Sequence, residues 1–204
     1  MRTFNFRQLA LSLMTLAALP NIAVAESDIV SGTGTASAKL DFQITIPRVL
    51  FLQVGTGTFG ADDTTVDKID FAPTATQVIN ATTPIAGTGG NLTGGAVTAK
   101  LFGNNGGITL SSTTLGALNN GGADTISWSE ISTAVSPVSG TLAHPTLADT
   151  GSPSVTPAPN VGTKVTNLHS TWTYSYLNTA GAAAGTYGGV NTRNGRVTYT
   201  AAMP

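Results

Sequence analysis

The sequence predicts an all-β protein, an antiparallel β-sandwich of seven to nine short strands. Apolar and polar residues alternate in several short runs, and this two-residue period is typical of strands with one buried face. Clusters of Gly, Asn, Ser, Thr and Pro separate the runs and provide turns. After residue 25 no stretch has the periodicity of an amphipathic helix longer than a turn or two, so sheet-on-sheet packing is the expected architecture.

The first 25 residues predict a helical signal peptide that is cleaved on export. Arg2 and Arg7 precede an apolar stretch at residues 9–19, and Ala-Val-Ala at residues 23–25 has the small-residue pattern of a cleavage site. The apolar stretch is too short to span a membrane. We therefore expect residues 26–204 to pass through the periplasm and to work at the cell surface or outside the cell, as one domain.

Composition excludes several classes of function. The chain has no cysteine, which excludes disulfides and zinc–thiolate sites. Only 9% of residues are charged, against about 25% in ordinary domains. Cleavage after residue 25 removes two of the nine basic side chains, and the remaining seven against ten acidic ones give a formal charge of −3. Nucleic acid and anionic membranes are therefore not expected partners.

The alternating segment, residues 39–46, follows a flexible leader at residues 26–38. Its apolar residues fall on one face of an extended strand: Leu40, Phe42, Ile44 and Ile46. Pro47 ends the run because it has no N–H to donate. The apolar residues 49–52 then predict a strand buried on both faces. The plainest interpretation of residues 39–46 is a first strand that completes its own sheet.

The region after this strand contains two motifs of low specificity. Residues 55–60 match G-x-G-x-x-G, but no helix follows and a glycine-rich turn is favoured over a dinucleotide site. Four nearby carboxylates suggest a calcium loop but lack its spacing and central glycine, which favours a solvated acidic loop. These carboxylates are Asp62, Asp63, Asp67 and Asp70. We expect no metal and no cofactor.

The middle of the chain predicts an antiparallel meander. The run 96–102 and the run 108–111 flank Asn-Asn-Gly-Gly at residues 104–107, which indicates a hairpin. A second such turn lies at residues 119–122. Residues 137–163 contain five prolines among many Ser, Thr and Gly residues and predict a long surface loop.

The last two strands carry the remaining candidate residues. Trp172, Tyr174 and Tyr176 share one strand face, which forms a core or, if exposed, a stacking platform. The final strand alternates apolar residues on one face: Val197, Tyr199, Ala201 and Met203. His144 and His169 have no cysteine and no paired carboxylate nearby in the sequence, so each is interpreted as an ordinary loop or strand histidine, and no catalytic motif is present. The sequence therefore predicts that the protein is not an enzyme.

Both ends of the chain carry a pattern typical of one family. The residues concerned are the alternating segment 39–46, Pro47, the run 49–54, Gly-Thr-Tyr at 185–187 and Val-Thr-Tyr-Thr-Ala at 197–201. In these residues the chain resembles the pilins of chaperone–usher fimbriae, and among them the cysteine-free major subunits of the alternate class. The resemblance implies an immunoglobulin-like subunit whose missing strand is donated by the N-terminal segment of its neighbour. It also implies a periplasmic chaperone and an outer-membrane usher as partners.

Two functions follow from these observations. In the first, the protein is a structural subunit of a bacterial surface fimbria, which assembles when residues 39–46 add a strand to another copy. In the alternative, it is a secreted monomeric adhesin or carbohydrate-binding module. That module would use Trp172, Tyr174, Tyr176 or Trp128 as its platform.

Overall fold

The structure is a computed structural model that describes residues 27–204. The chain divides into a unit that ends at Thr45 and a unit Ile46–Pro204. The predicted signal peptide, residues 1–25, lies outside the described residues. Within residues 27–204 no helix has the length and apolar character needed to cross a membrane.

The described part of the first unit, residues 27–45, contains neither helix nor strand. The prediction that residues 40–46 form a strand is therefore wrong for the single chain. Their apolar side chains are exposed instead, with 77% of Leu40 and 86% of both Phe42 and Ile44 accessible to solvent. A strand is stable only when its backbone groups pair with an edge, so alternation alone does not produce one.

The second unit is all-β and antiparallel, with one helix of six residues. The described residues form twelve strands instead of the predicted seven to nine, because six of the twelve are only two residues long. The strands are β1 (Leu50–Val54), β2 (Ile69–Asp70), β3 (Ile85–Ala86), β4 (Thr88–Gly89), β5 (Ala96–Gly103), β6 (Thr109–Thr113), β7 (Leu118–Asn119), β8 (Thr125–Ile126), β9 (Ile131–Ser139), β10 (Ser154–Val155), β11 (Thr166–Tyr176) and β12 (Thr198–Ala202). Helix α1 is Ala75–Asn80, and a 3-10 turn covers Trp128–Glu130.

The larger sheet is centred on β11. Strand β5 pairs with β1 on one side and with β11 on the other, and β9 forms the opposite edge. Strand β3 pairs with the last two residues of β11. Every second residue of β5 and β11 is buried, which is the alternation that the sequence predicts for half-buried strands.

The smaller sheet has the order β10–β6–β12. Leu110 of β6 is fully buried, and Tyr199 and Ala201 of β12 pack against the same core. That core also contains Leu101 and Trp172 from the larger sheet, so side chains of both sheets fill one apolar interior.

The turn at residues 104–107 is not a hairpin. Strand β5 pairs with β1 and β11, whereas β6 pairs with β10 and β12, so the chain crosses here between sheets. The Gly106 N–H donates to the Lys164 carbonyl (2.9 Å), and the turn is thus held by another loop and not by its own strands. The turn at residues 119–122 does connect an antiparallel pair, β7 and β8.

The proline-rich region is more ordered than a surface loop. Its first residues belong to β9, where Pro137 is tolerated because β9 is an edge strand that, among the described strands, pairs only with β11. Further on, Leu142 is fully buried, and its carbonyl accepts a hydrogen bond from Trp172 Nε1 (2.9 Å). The prediction of a surface loop over residues 137–163 is therefore wrong for these residues.

Candidate functional site

Two edge strands lie side by side where the two sheets meet. Within residues 27–204, strand β1 pairs only with β5, and β12 pairs only with β6. The two strands come within 8 Å of one another, measured between Cα atoms, yet no backbone ladder joins them in the part of the chain that the structure describes. Each therefore leaves one row of backbone N–H and C=O groups without a strand partner.

An open groove, here called the edge groove, runs between these strands. Together with its continuation along residues 56–73 and 178–191, it has a volume of about 1020 Å³. Leu52 and Val54 of β1 form one wall, Val197 and Tyr199 form the other, and Tyr174 lies between them. The four wall residues are only half-buried. Half-buried apolar side chains along two unpaired edges are the surface that one more strand would cover.

The predicted residues of the last strand lie along this groove or beside it. Tyr199 and Ala201 belong to β12 and point inwards, opposite Ser112 and Leu110 of β6. Val197 lines the groove just before β12, and Met203 packs against the core just after it. The alternation that the sequence indicates for these four residues is therefore present in the structure.

A hydrogen-bonded cluster joins both sheets behind the groove. His144 Nε2 lies 2.6 Å from the Tyr199 hydroxyl and 3.2 Å from the Tyr174 hydroxyl, and the two hydroxyls are 2.9 Å apart. The His144 ring also meets Trp172 edge-on, with ring centres 4.6 Å apart. The sequence interpretation of His144 as an ordinary loop histidine missed this, because its partners lie 30 and 55 residues away.

Burial keeps this cluster uncharged at neutral pH. It lowers the pKa of His144 to about 4 and raises the pKa of Tyr174 to about 12. The pKa of Tyr199 is also raised, first by burial and then by the neighbouring Tyr174. Three neutral groups contributed by two sheets and a loop act as a cross-link that holds β12 against the larger sheet.

The residues of the alternative aromatic platform are buried. Trp172 is inaccessible to solvent, and Tyr174, Tyr176 and Trp128 are each 7% accessible or less. They form the core and the floor of the edge groove, so their ring faces are not available as an exposed stacking surface.

A different aromatic cluster is exposed, and the sequence interpretation missed it. Phe59 is 52% accessible and contacts Phe51 and Phe102 edge-on, with ring centres 5.1 and 6.1 Å away. Phe51 and Phe102 face each other across β1 and β5. Only the strand register brings them together, and no local pattern reveals that register.

Three of the four acidic residues in 62–70 contact neighbouring residues. Asp67 accepts hydrogen bonds from the amide and hydroxyl of Thr56, and Asp70 forms an ion pair with Lys68 (2.9 Å). Hydrogen bonding from the Thr65 side chain, and then from the Thr65 amide N–H, lowers the pKa of Asp63. Among the described residues no group of three or more metal-ligating side chains is placed to hold an ion.

The fold and site define an all-β protein with an open apolar groove between two edge strands. No family model, curated protein or solved structure matches the chain. The functional interpretation therefore depends on the residues themselves.

Proposed function

We propose that this protein is an exported structural subunit of a surface filament, and that the alternating segment of one copy fills the edge groove of the next. In this proposal the domain is an immunoglobulin-like sandwich that lacks one strand. The observation that carries the proposal is the presence, in one chain, of an open groove between two edge strands and of exposed residues 40–46, which alternate like a strand but pair with no strand within residues 27–204.

The size and pattern of the two surfaces support the proposal. Residues 40–46 would span about 20 Å when extended, close to the length of a five-residue strand and its flanking residues. Their apolar side chains lie on one face, as insertion between two sheets requires. Outward-facing Gln43 and Thr45 would remain in water on the other face.

In one antiparallel register, every apolar residue of the alternating segment lies opposite one of the four residues predicted for the final strand. If Ile44 lies opposite Tyr199, then Phe42 lies opposite Ala201, so that a large ring meets a small side chain. The same register places Leu40 opposite Met203 and Ile46 opposite Val197. A shift of two residues in either direction leaves one apolar side chain of the alternating segment without an apolar partner among the residues of the final strand.

The energy of such pairing is large enough for stable assembly. Burying an exposed aliphatic or aromatic side chain stabilises by roughly 1.5–3 kcal/mol, and four of them contribute roughly 6–12 kcal/mol before ordering costs. A row of backbone hydrogen bonds to β12 adds to this sum. A periplasmic chaperone would protect the groove before assembly, and an outer-membrane usher would direct export.

Substitutions in the alternating segment test the proposal in the full chain. We expect Ile44→Asp to abolish filaments of the exported protein, because a carboxylate cannot enter an apolar groove without a large desolvation cost. Negative-stain microscopy and size-exclusion chromatography measure the result. Gln43→Asp is the matched control: it adds the same charge one residue away, on the outward face, and filaments should persist. Equal assembly of both variants would contradict the proposal.

The second candidate is a secreted monomeric binding module, and the exposed Phe59 cluster is the observation that favours it. This candidate predicts that the exported wild-type protein is a monomer. It also predicts that Phe59→Ala weakens binding to its target surface and that Ile44→Asp leaves this binding unchanged.

A further inference from the structure

One side chain holds the backbone that leads into β1. Asn104 Oδ1 accepts a hydrogen bond from the Val49 N–H (2.8 Å), and Asn104 Nδ2 donates to the Pro47 carbonyl (2.8 Å). The pairing of Leu50 with Gly103 places Val49 opposite Asn104 in register. The asparagine side chain thus extends the pairing of β1 with β5 past its last backbone pair, on both sides of Arg48.

The turn that carries Asn104 is itself anchored to the domain. Gly106 donates its N–H to the Lys164 carbonyl (2.9 Å), and Asn105 Nδ2 donates to the Pro204 carbonyl (2.6 Å). Neither asparagine has a positive φ, so both have ordinary backbone conformations. Their side chains make separate contacts: Asn104 binds the segment before β1, and Asn105 binds Pro204.

This contact gains a role if the proposed function holds, and the inference rests on it. In a filament built by strand addition, residues 47–49 are the only covalent connection between a domain and its segment in the next subunit. A short connection without contacts bends freely, and Pro47 restricts its own φ angle and the backbone of Ile46 but not residues 48 and 49. Restraint on both sides of Arg48 limits this bending.

We propose that Asn104 is a positioning residue that sets the bending stiffness of the filament by holding residues 47–49 to the domain. The hydrogen bonds are exposed to solvent, so their loss should leave the fold of the subunit almost unchanged. The effect is expected in the shape of the filament and not in its formation.

The test compares the curvature of filaments made by variants of the full chain. We expect Asn104→Ala to form filaments with a persistence length of about half the wild-type value or below, because both restraining hydrogen bonds are lost. The persistence length is traced in electron micrographs. Asn104→Asp should lie between this variant and the wild type, since an ionised aspartate still accepts from Val49 but cannot donate to Pro47. Asn105→Ala is the matched control and should keep the wild-type persistence length.

The outcomes separate this inference from the proposed function. Absence of filaments in the wild type refutes strand-addition assembly and, with it, the role of Asn104. Normal wild-type filaments together with unchanged stiffness in both Asn104 variants refute the role of Asn104 alone. Equal softening by Asn104→Ala and Asn105→Ala also refutes it, because the effect would then belong to the whole turn. If Asn104→Ala fails to fold by circular dichroism, Asn104→Asp decides.

Discussion

At the scale of single residues, the His144 cluster is the feature with the clearest chemical consequence. A histidine whose pKa falls from 6.5 to about 4 on folding resists protonation in the native state. The unfolded chain takes up its proton below about pH 6.5, whereas the folded chain does so only near pH 4. The stability that neutral His144 contributes is therefore complete above pH 6.5 and is lost progressively as the pH falls to 4.

This loss is measurable in a chain that does not assemble. In the Ile44→Asp background we expect the free energy of unfolding in urea to fall by up to about 3 kcal/mol between pH 7 and pH 4 because of His144, at about 1.4 kcal/mol per pKa unit. His144→Gln removes the titrating group, so the difference between the two proteins should shrink as the pH is lowered. A difference that stays constant with pH would contradict the assignment.

Single residues also mark the limit of what the sequence reveals. Val197, Tyr199, Ala201 and Met203 could be assigned to one face because alternation is local. The partners of His144 could not be found, because the Tyr199 contact spans 55 residues. The exposed Phe59 cluster depends likewise on a strand register that no local pattern encodes.

At the scale of elements, sequence alternation locates strands but not their neighbours. Strands β5, β11 and β12 were predictable because one face of each meets the core and the other meets water. The Asn-Gly turn at residues 104–107 predicts a hairpin, yet the chain crosses to the other sheet there, because tertiary contacts of the turn override its local preference. The edge groove could not be predicted at all, since it depends on how β1 and β12 approach each other.

The groove can be tested as an element by supplying the missing strand as a peptide. A synthetic peptide of residues 39–47 should raise the melting temperature of the full-length Ile44→Asp variant, whose own alternating segment is defective. At a concentration 100 times its Kd the peptide stabilises by about 2.7 kcal/mol, or roughly 5–10 °C for a domain of this size. Differential scanning calorimetry measures the shift.

A second peptide makes the control. It carries Asp in place of Ile44 and keeps the length and backbone of the first, so it tests whether the apolar face drives binding. Equal stabilisation by both peptides, or by neither, would contradict a groove that accepts this segment.

At the scale of the whole molecule, strand direction decides what kind of assembly can form. The 104–107 turn lies at one end of the domain. Strand β1 starts at this end, and β12 finishes there. Every ladder in the described structure is antiparallel. A donated segment antiparallel to β12 would have Ile46 at the opposite end of the groove, so that successive domains continue head to tail. A segment parallel to β12 would bring two 104–107 turns together and favour a closed pair.

Disulfide trapping distinguishes these arrangements. Because the protein has no native cysteine, only the introduced cysteines can form disulfides. The antiparallel register proposed above places Thr45 opposite Thr198 and Asp41 opposite Ala202. We expect the double variants Thr45→Cys/Thr198→Cys and Asp41→Cys/Ala202→Cys to give a ladder of covalent multimers in non-reducing electrophoresis, because opposed residues in a ladder have Cα separations that suit a disulfide. Asp41→Cys/Thr198→Cys should stay largely uncross-linked, since these positions are four residues out of register. A covalent dimer from this last variant alone would indicate the parallel arrangement, which favours a closed pair. If the first two variants instead give monomers with an internal disulfide, which migrate faster in the gel, the segment pairs with its own domain.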